Sequence, residues 1–246
     1  MPDPRSATQF GPSGRIGVVV PANNSVLEPE LWSALPPGVA LYATRILARG
    51  DLTPDAVRAM ETHFDRAVEE LAATGVDVIL LADMVTSFIM EPGWNDSRTR
   101  AVAAATGAAC ASAWSAMRDA LGAFGATRIA LGTPYPASVH ALAPAFFAAE
   151  GFTLVGHATL DILAMRDVPE VRPDRLAELV RGLSKQGAQA VVLLATDLPS
   201  FAALPALEAE CGIPVLTSNQ VLLWRALRLA GNTTRLPGLG RLLAEH

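Results

Sequence analysis

The chain repeats itself at a fixed interval, and that repeat restricts what it can fold into more than any other feature. Ala82-Asp-Met-Val-Thr-Ser-Phe88 returns as Ala195-Thr-Asp-Leu-Pro-Ser-Phe201, an offset of 195 − 82 = 113 residues. The apolar runs before them match as well, Val78-Ile-Leu-Leu-Ala82 against Val191-Val-Leu-Leu-Ala195. Gly14-Arg-Ile-Gly-Val-Val-Val-Pro21 lies over Thr127-Arg-Ile-Ala-Leu-Gly-Thr-Pro134 at the same spacing, 127 − 14 = 113. A weaker match pairs Gly107 to Leu121 with Gly212 to Leu227. Two strong matches at one offset indicate a duplicated half. Duplication implies a pseudo-twofold axis, with the polar loops that follow the repeated apolar runs facing each other across a cleft.

Each half reads as alternating strand and helix. Val76 to Ala82 is almost wholly apolar and bounded by Gly75, as expected of a strand covered on both faces. Asp83 then opens a polar loop at the strand's carboxyl end, the edge at which open α/β sheets bind ligands. Further strands are expected at 15–20, 39–46, 108–111, 128–133, 152–157, 190–195 and 214–217. Helices are expected from Glu28, over 53–73 with Thr53 as cap and Pro54 in the first turn, and over 96–106, 112–124, 138–150, 172–185, 204–210 and 221–229. The segment 161–171 reads as a loop. Short links between alternating elements predict an α/β fold of two pseudo-symmetric halves. Each half is a mostly parallel sheet flanked by helices, with the site in the cleft between them. The expected division is a flexible lead-in over 1–13, a first half over 14–115, a second over 116–214, and a C-terminal part over 215–246 that packs back on the first half.

Composition and motifs exclude several functions. With 246 residues the chain is long enough to bury a sizeable core, and at 51% hydrophobic and 17% charged it is globular rather than disordered. A net charge of −5 offers no basic footprint for nucleic acid. No apolar run approaches the roughly 18 residues of a membrane span, and the N-terminus lacks the apolar core of a signal peptide, so a cytoplasmic protein is expected. Cys110 and Cys211 form neither a disulfide framework nor a zinc spacing; Cys110 reads as a buried small hydrophobe and Cys211 as the end of a helix. No Gly-x-Gly-x-x-Gly, Walker or Gly-x-Ser-x-Gly sequence is present. His63, His140 and His157 read as packing or surface residues, Trp224 as core, and Trp94 and Trp114 as candidates for a pocket mouth or a subunit interface.

Several stretches resemble a known group. Gly17-Val-Val-Val-Pro-Ala-Asn-Asn-Ser-Val-Leu-Glu-Pro-Glu30 looks like the opening of maleate cis-trans isomerases. Val76 to Ala82, Thr133-Pro-Tyr135, Leu207 to Trp224 and Leu227 to Gly231 look like the same group. The resemblance covers about residues 14 to 231 and is to the aspartate/glutamate racemase superfamily, in its maleate isomerase and arylmalonate decarboxylase branch. It implies two pseudo-symmetric α/β halves, no cofactor and no metal, a small carboxylate as substrate, and a homodimer or higher homo-oligomer. It also implies a cysteine at each of two strand-end loops, or at the second alone in the decarboxylases. Here the first cysteine position carries Asp83. The second falls on Ala195, with Thr196 beside it, whereas the internal repeat sets Thr196 opposite Asp83. Met84 and Val85 replace the hydroxyl residues that follow the first cysteine, and Met165 matches the asparagine before a second-half helix. Asn24, Arg45, Tyr135, Thr86, Ser87 and Ser218-Asn-Gln220 keep the family's pattern.

Two readings follow. The first is an isomerase or lyase-type enzyme acting through an enediolate-like intermediate, with Asp83 in place of the thiol acid/base. Asp83, Tyr135 and Thr196 are then its expected catalytic residues. Asn24, Ser25, Thr86, Ser87, Asp197 and Ser200 are its expected substrate-binding residues, and Asp197 is a second candidate base. A carboxylate on the floor of an apolar cleft should have a raised pKa, which suits proton transfer. The second reading is a non-catalytic protein that binds a small carboxylate on a racemase-like fold, with Asp83 only capping its own loop.

Overall fold

The structure, a computed structural model, describes residues 10–246; most of the expected lead-in, residues 1–9, lies outside them. Eight strands form: β1 Gly14–Pro21, β2 Val39–Ile46, β3 Val78–Leu81, β4 Ala109–Ser112, β5 Arg128–Thr133, β6 Thr153–Thr159, β7 Ala190–Leu193 and β8 Val215–Thr217. They make two four-stranded sheets of the same topology, β2-β1-β3-β4 and β6-β5-β7-β8, parallel throughout. β3 and β7 have no exposed residue, because helices cover both faces of each sheet, and their runs of Val, Ile and Leu answer to that burial. β8 is hydrogen-bonded in the second sheet, although its residues fall in the segment expected to serve the first half. The helix that follows it, Ser218–Leu229, does lie on β3, β4 and the helix Ala113–Ala123 of the first half.

The hydrogen-bond register corrects the alignment of the repeat. Val19 pairs with Leu81, and Leu81 with Ser112. In the second half Gly132 pairs with Leu193, and Leu193 with Thr217. The offset is therefore 132 − 19 = 113 for the first strand of each half, but 193 − 81 = 112 for the third. The amides that follow agree: Ala82 N donates to Val19 O and Leu194 N to Gly132 O. Asp83 is thus equivalent to Ala195, not Thr196. A one-residue slip moves a side chain to the other face of a sheet, so this small error in letters is a large one in geometry.

Helix boundaries also differ from expectation. The helix expected over 53–73 is two, Pro54–Glu61 and Phe64–Ala72. The Thr62 hydroxyl donates to Ala59 O at 2.7 Å, a local bond that competes with the helix ladder. The helix expected over 138–150 is likewise two, Ala137–His140 and Ala143–Ala149, because Pro144 has no N–H to give and its ring collides with the carbonyl four residues back. A short helix, Thr86–Ile89, forms inside the expected cleft loop, and a 3-10 turn, Met165–Glu170, inside the expected loop 161–171. The last long helix starts at Ser218 rather than Val221, capped by Thr217 in a capping box with Gln220. Ser112 and Ser115 form the equivalent box in the first half. Trp114 is at neither a pocket mouth nor a surface. It is fully buried among Phe146, Phe147 and Phe152 with edge-on ring contacts. Among the described residues no helix is long and apolar enough to cross a membrane.

Candidate active site

A small cavity lies where the carboxyl ends of the two sheets face each other. Pro21, Asn23 and Asn24 come to it from the end of β1, Asp83 and Val85 from the end of β3, Tyr135 from β5, and Ala195, Thr196 and Asp197 from β7. The helix Pro54–Glu61 adds Val57 and Met60. Two irregular straps, one from each half, close the top with Ala48 and Leu52 on one side and Ile162, Met165 and Val168 on the other. They are zipped together by Leu52 N donating to Leu163 O at 2.9 Å and Met165 N to Gly50 O at 3.3 Å. The cavity volume is about 40 Å³, room for only a few water molecules at roughly 10–15 Å³ each. A ligand of this cavity is small, or parts the straps.

Asp83 sits directly after β3. Its Oδ2 accepts the Thr86 backbone N–H at 3.1 Å and the Thr86 hydroxyl, so the carboxylate caps the short helix. Burial raises its pKa, against the lowering effect of the bonds from Thr86 and from the Val85 amide. Asp197 lies on the other half. Burial and the nearby Asp83 carboxylate push it up to about 7, opposed by its own backbone amide and by Asn23, whose Nδ2 donates to Oδ2 at 3.5 Å. A third acid, Glu61, shares a small adjoining space with Asp83 and Trp94. Burial and Asp83 push Glu61 up to about 7 against the pull of Arg98.

Tyr135 brings a phenol to the same place. It is buried, its ring edge-on to Phe88 at 6.0 Å, and its hydroxyl has no hydrogen-bond partner. Burial, with Asp83 and Asp197 nearby, holds its pKa well above 10, so it is a neutral donor. A buried hydroxyl without a partner costs free energy, which makes it the clearest sign of a ligand-facing group. Asn23 Oδ1 is likewise buried without a partner.

The expected site residues divide cleanly. Asn24, Asp83, Tyr135, Thr196 and Asp197 line the cavity, while Ser25, Thr86, Ser87 and Ser200 do not. Ser25 is exposed. Thr86 serves Asp83, and Ser87 Oγ donates to Asn95 Oδ1 at 3.3 Å. Ser200 belongs to a buried tie between the halves. Its amide and that of Phe201 donate to Glu30 Oε1 at 2.6 and 2.8 Å, and Asn219 Nδ2 donates to Glu30 Oε2 at 2.7 Å. Thr196 is a second tie: its hydroxyl donates to Ala82 O at 2.9 Å and accepts from Asn24 Nδ2 at 3.1 Å. Asn24 Oδ1 in turn accepts the amides of Val26 and Leu27, leaving one amide hydrogen uncommitted. Opposite Asp83, Ala195 has φ +106, a conformation that residues bearing a Cβ rarely adopt, and its amide donates to Ser218 Oγ at 3.1 Å.

Sequence reasoning missed Asn23, Glu61 and the straps. Asn23 stood beside Asn24 in Pro21-Ala-Asn-Asn-Ser25 and was visible as a second amide. Glu61 gave no signal without the helix break that follows it. Cys110 lies outside the cavity, and burial pushes its thiol up to about 12. His140 is buried, bonded to Thr133 Oγ1 at 2.8 Å and His157 Nδ1 at 2.9 Å. Among the described residues no group of three or more His, Cys, Asp or Glu is placed to hold a metal ion.

The sequence profile of the family described as arylmalonate decarboxylase matches residues 16–243. The chain belongs to that family. Maleate isomerase of Nocardia farcinica is 31% identical over 241 residues, covering 94% of this chain and 96% of that protein. Arylmalonate decarboxylase of Bordetella bronchiseptica is 31% identical over 234 residues, covering 94% and 96%. Solved structures share the fold throughout. The Nocardia farcinica maleate cis-trans isomerase, as a cysteine-to-serine variant with a covalently bound succinylcysteine intermediate, superposes with a TM-score of 0.89 at 31% identity, covering 95% of this chain and 99% of that one. Arylmalonate decarboxylase superposes at 0.80 with 29% identity, covering 94% and 100%. The Nocardia structure carries its intermediate on a cysteine, whereas no cysteine lines the cavity of this chain.

Proposed function

We propose that this chain is an isomerase or lyase-type enzyme that works at the carbon beside a small carboxylate, without cofactor or metal, and that Asp83 is its acid/base in place of a thiol. The observation that carries the reading is one juxtaposition. A carboxyl with a raised pKa and a partnerless phenol, Asp83 and Tyr135, line one narrow, largely apolar cavity between the two halves. Family membership supports a carboxylate substrate.

The chemistry follows from those groups. As a carboxylate, Asp83 takes the proton from the α-carbon and the electron pair moves onto the substrate's carboxyl oxygens. As a carboxylic acid it returns a proton to the same carbon, either to reverse the step or to quench the carbanion left by loss of CO2. Burial makes the protonated form of Asp83 easier to reach than for an exposed aspartate, the direction that general acid/base work requires. Tyr135 donates to the oxygen on which charge develops, and in a dry, preorganised site such a donor is worth more than it would be in water. Asn23 and Asn24 orient the carboxylate with their amides. Asp197, across the cavity, is the second acid. Thr196 positions Asn24 and joins the halves rather than reacting.

One observation favours the alternative of a non-catalytic carboxylate-binding protein: Ala195, with no reactive side chain, is the residue equivalent to Asp83. The two readings separate on turnover. Substituted malonates, maleate and α-substituted acids are incubated with the wild type and Asp83→Asn and followed by NMR. Conversion by the wild type that is lost in the variant supports the enzyme. Equal conversion by both removes Asp83 from the mechanism.

A further inference from the structure

Among the described residues no cationic side chain lines the cavity that would receive a carboxylate. Its charged lining is two carboxyl groups, Asp83 and Asp197. Two guanidinium groups on neighbouring elements are committed elsewhere. Arg45 turns outward to the carbonyls of Pro21, Ala22 and Asn24 and to Glu28. Arg98 lies over the Phe64 ring and pairs with Asp65 at 2.9 Å. The remaining acid nearby, Glu61, adds negative charge on the side of Asp83. Adding an anion to such a site would leave like charges in contact in a low-dielectric space, an arrangement that costs several kcal/mol unless one of them is neutralised.

Resting on the reading that this cavity binds a small carboxylate, we propose that it takes a monocarboxylic acid together with a proton. The ligand and an aspartic acid of the Asp83–Asp197 pair then share that proton in a carboxyl–carboxylate hydrogen bond. The geometry fits: two acids from opposite halves, a phenol donor and two side-chain amides converge on one small space, and each of those donors is neutral. Burial raises both acids above their ordinary range, which favours taking up a proton from solvent when a further anion enters. A dicarboxylate bound as its dianion would need a second proton as well and is disfavoured, so a substituted malonate enters as its monoanion. The substrate class is therefore a monoanionic acid with an apolar remainder against Val57, Met60, Met165 and Val168.

Calorimetry tests this with phenylacetate as the monocarboxylate and maleate as the dianion. Titrations at pH 6 to 9, in buffers of different ionisation enthalpy, count the protons bound with the ligand. Phenylacetate is expected to bind with uptake of close to one proton at pH 8, and to lose affinity by about tenfold per pH unit above that. In Asp197→Asn, whose fold keeps the same side-chain volume, uptake falls and the pH dependence flattens. Phenylacetate binding without proton uptake, and with constant affinity across the range, overturns the inference and leaves the carboxylate reading standing. Maleate binding as its dianion at pH 8 as tightly as phenylacetate also overturns it. If neither probe binds at any pH, both readings fall.

Discussion

Replacing Asp197 by Asn should make this protein more stable, and by an amount that depends on pH. The carboxyl is held at about 7 against an ordinary 3.8. That gap, at 1.36 kcal/mol per pH unit, corresponds to a penalty of up to about 4 kcal/mol for the ionised form in the fold. The folded protein therefore binds more protons than the unfolded chain between about pH 3.8 and 7, so stability falls as pH rises through that window and returns as pH falls. An amide has no charge to bury and can still accept from Asn23, whose bond to Asp197 is long at 3.5 Å. The variant should match the wild type near pH 4 and exceed it by up to about 4 kcal/mol at pH 8. At roughly 2–4 °C per kcal/mol for a chain of this size, that is a rise in Tm of up to about 8–16 °C. Urea unfolding at pH 4, 6 and 8 measures it. Part of the penalty comes from Asp83, so Asp83→Asn should lower the Asp197 pKa and shrink the gain. Additive effects in the double variant would show that the two acids do not interact. A variant no more stable than the wild type at pH 8, or a gain independent of pH, would refute the argument. A residue whose removal stabilises the fold is held there for another reason, and a functional site is the usual one.

Three further substitutions probe single contacts. Thr196→Val strands Ala82 O and Asn24 Nδ2 inside the protein, and at about 1–3 kcal/mol for each stranded group should cost roughly 2–6 kcal/mol in denaturant unfolding. Tyr135→Phe removes a buried hydroxyl that has no protein partner, so Tm should hold or rise while turnover or ligand affinity falls by about 10-fold or more, as for loss of an oxyanion donor. Ala195→Gly relieves a φ of +106; since backbone strain of this kind is worth about 1–3 kcal/mol and glycine gives back about 0.5–1, a net gain of about 1 kcal/mol is expected by thermal unfolding.

The parts of the fold written in the sequence are those set by local chemistry. β2 and β5 match the expected boundaries to the residue, because turn residues bracket short runs rich in strand-forming side chains. The repeat was visible for the same reason, and its one error has a physical cause. Leu-Leu-Ala aligns best at one spacing as letters, while the hydrogen-bond register of β7 follows another. That Asp83 and Tyr135 would line the cavity was legible because the strand ends of open parallel sheets converge on such crevices. The roof was not, since 47–52 and 162–168 are irregular and meet only through two backbone bonds between halves. Thr196 and Ser200 stood in the right loop, but their hydroxyls tie the halves together, and a sequence does not distinguish a polar group that greets a ligand from one that holds two domains at a fixed distance.

If Asp83 moves a proton at the carbon beside a carboxylate, that carbon exchanges its hydrogen with solvent. The most direct measurement is deuterium exchange at the α-carbon of a bound acid in D2O, followed by proton NMR, for the wild type and Asp83→Asn side by side. Exchange is expected with the wild type, and a loss of at least about 100-fold in the variant, as for removal of a general base, with binding retained. Exchange at an equal rate in both, or none in a wild type shown to bind the acid, would contradict that role for Asp83.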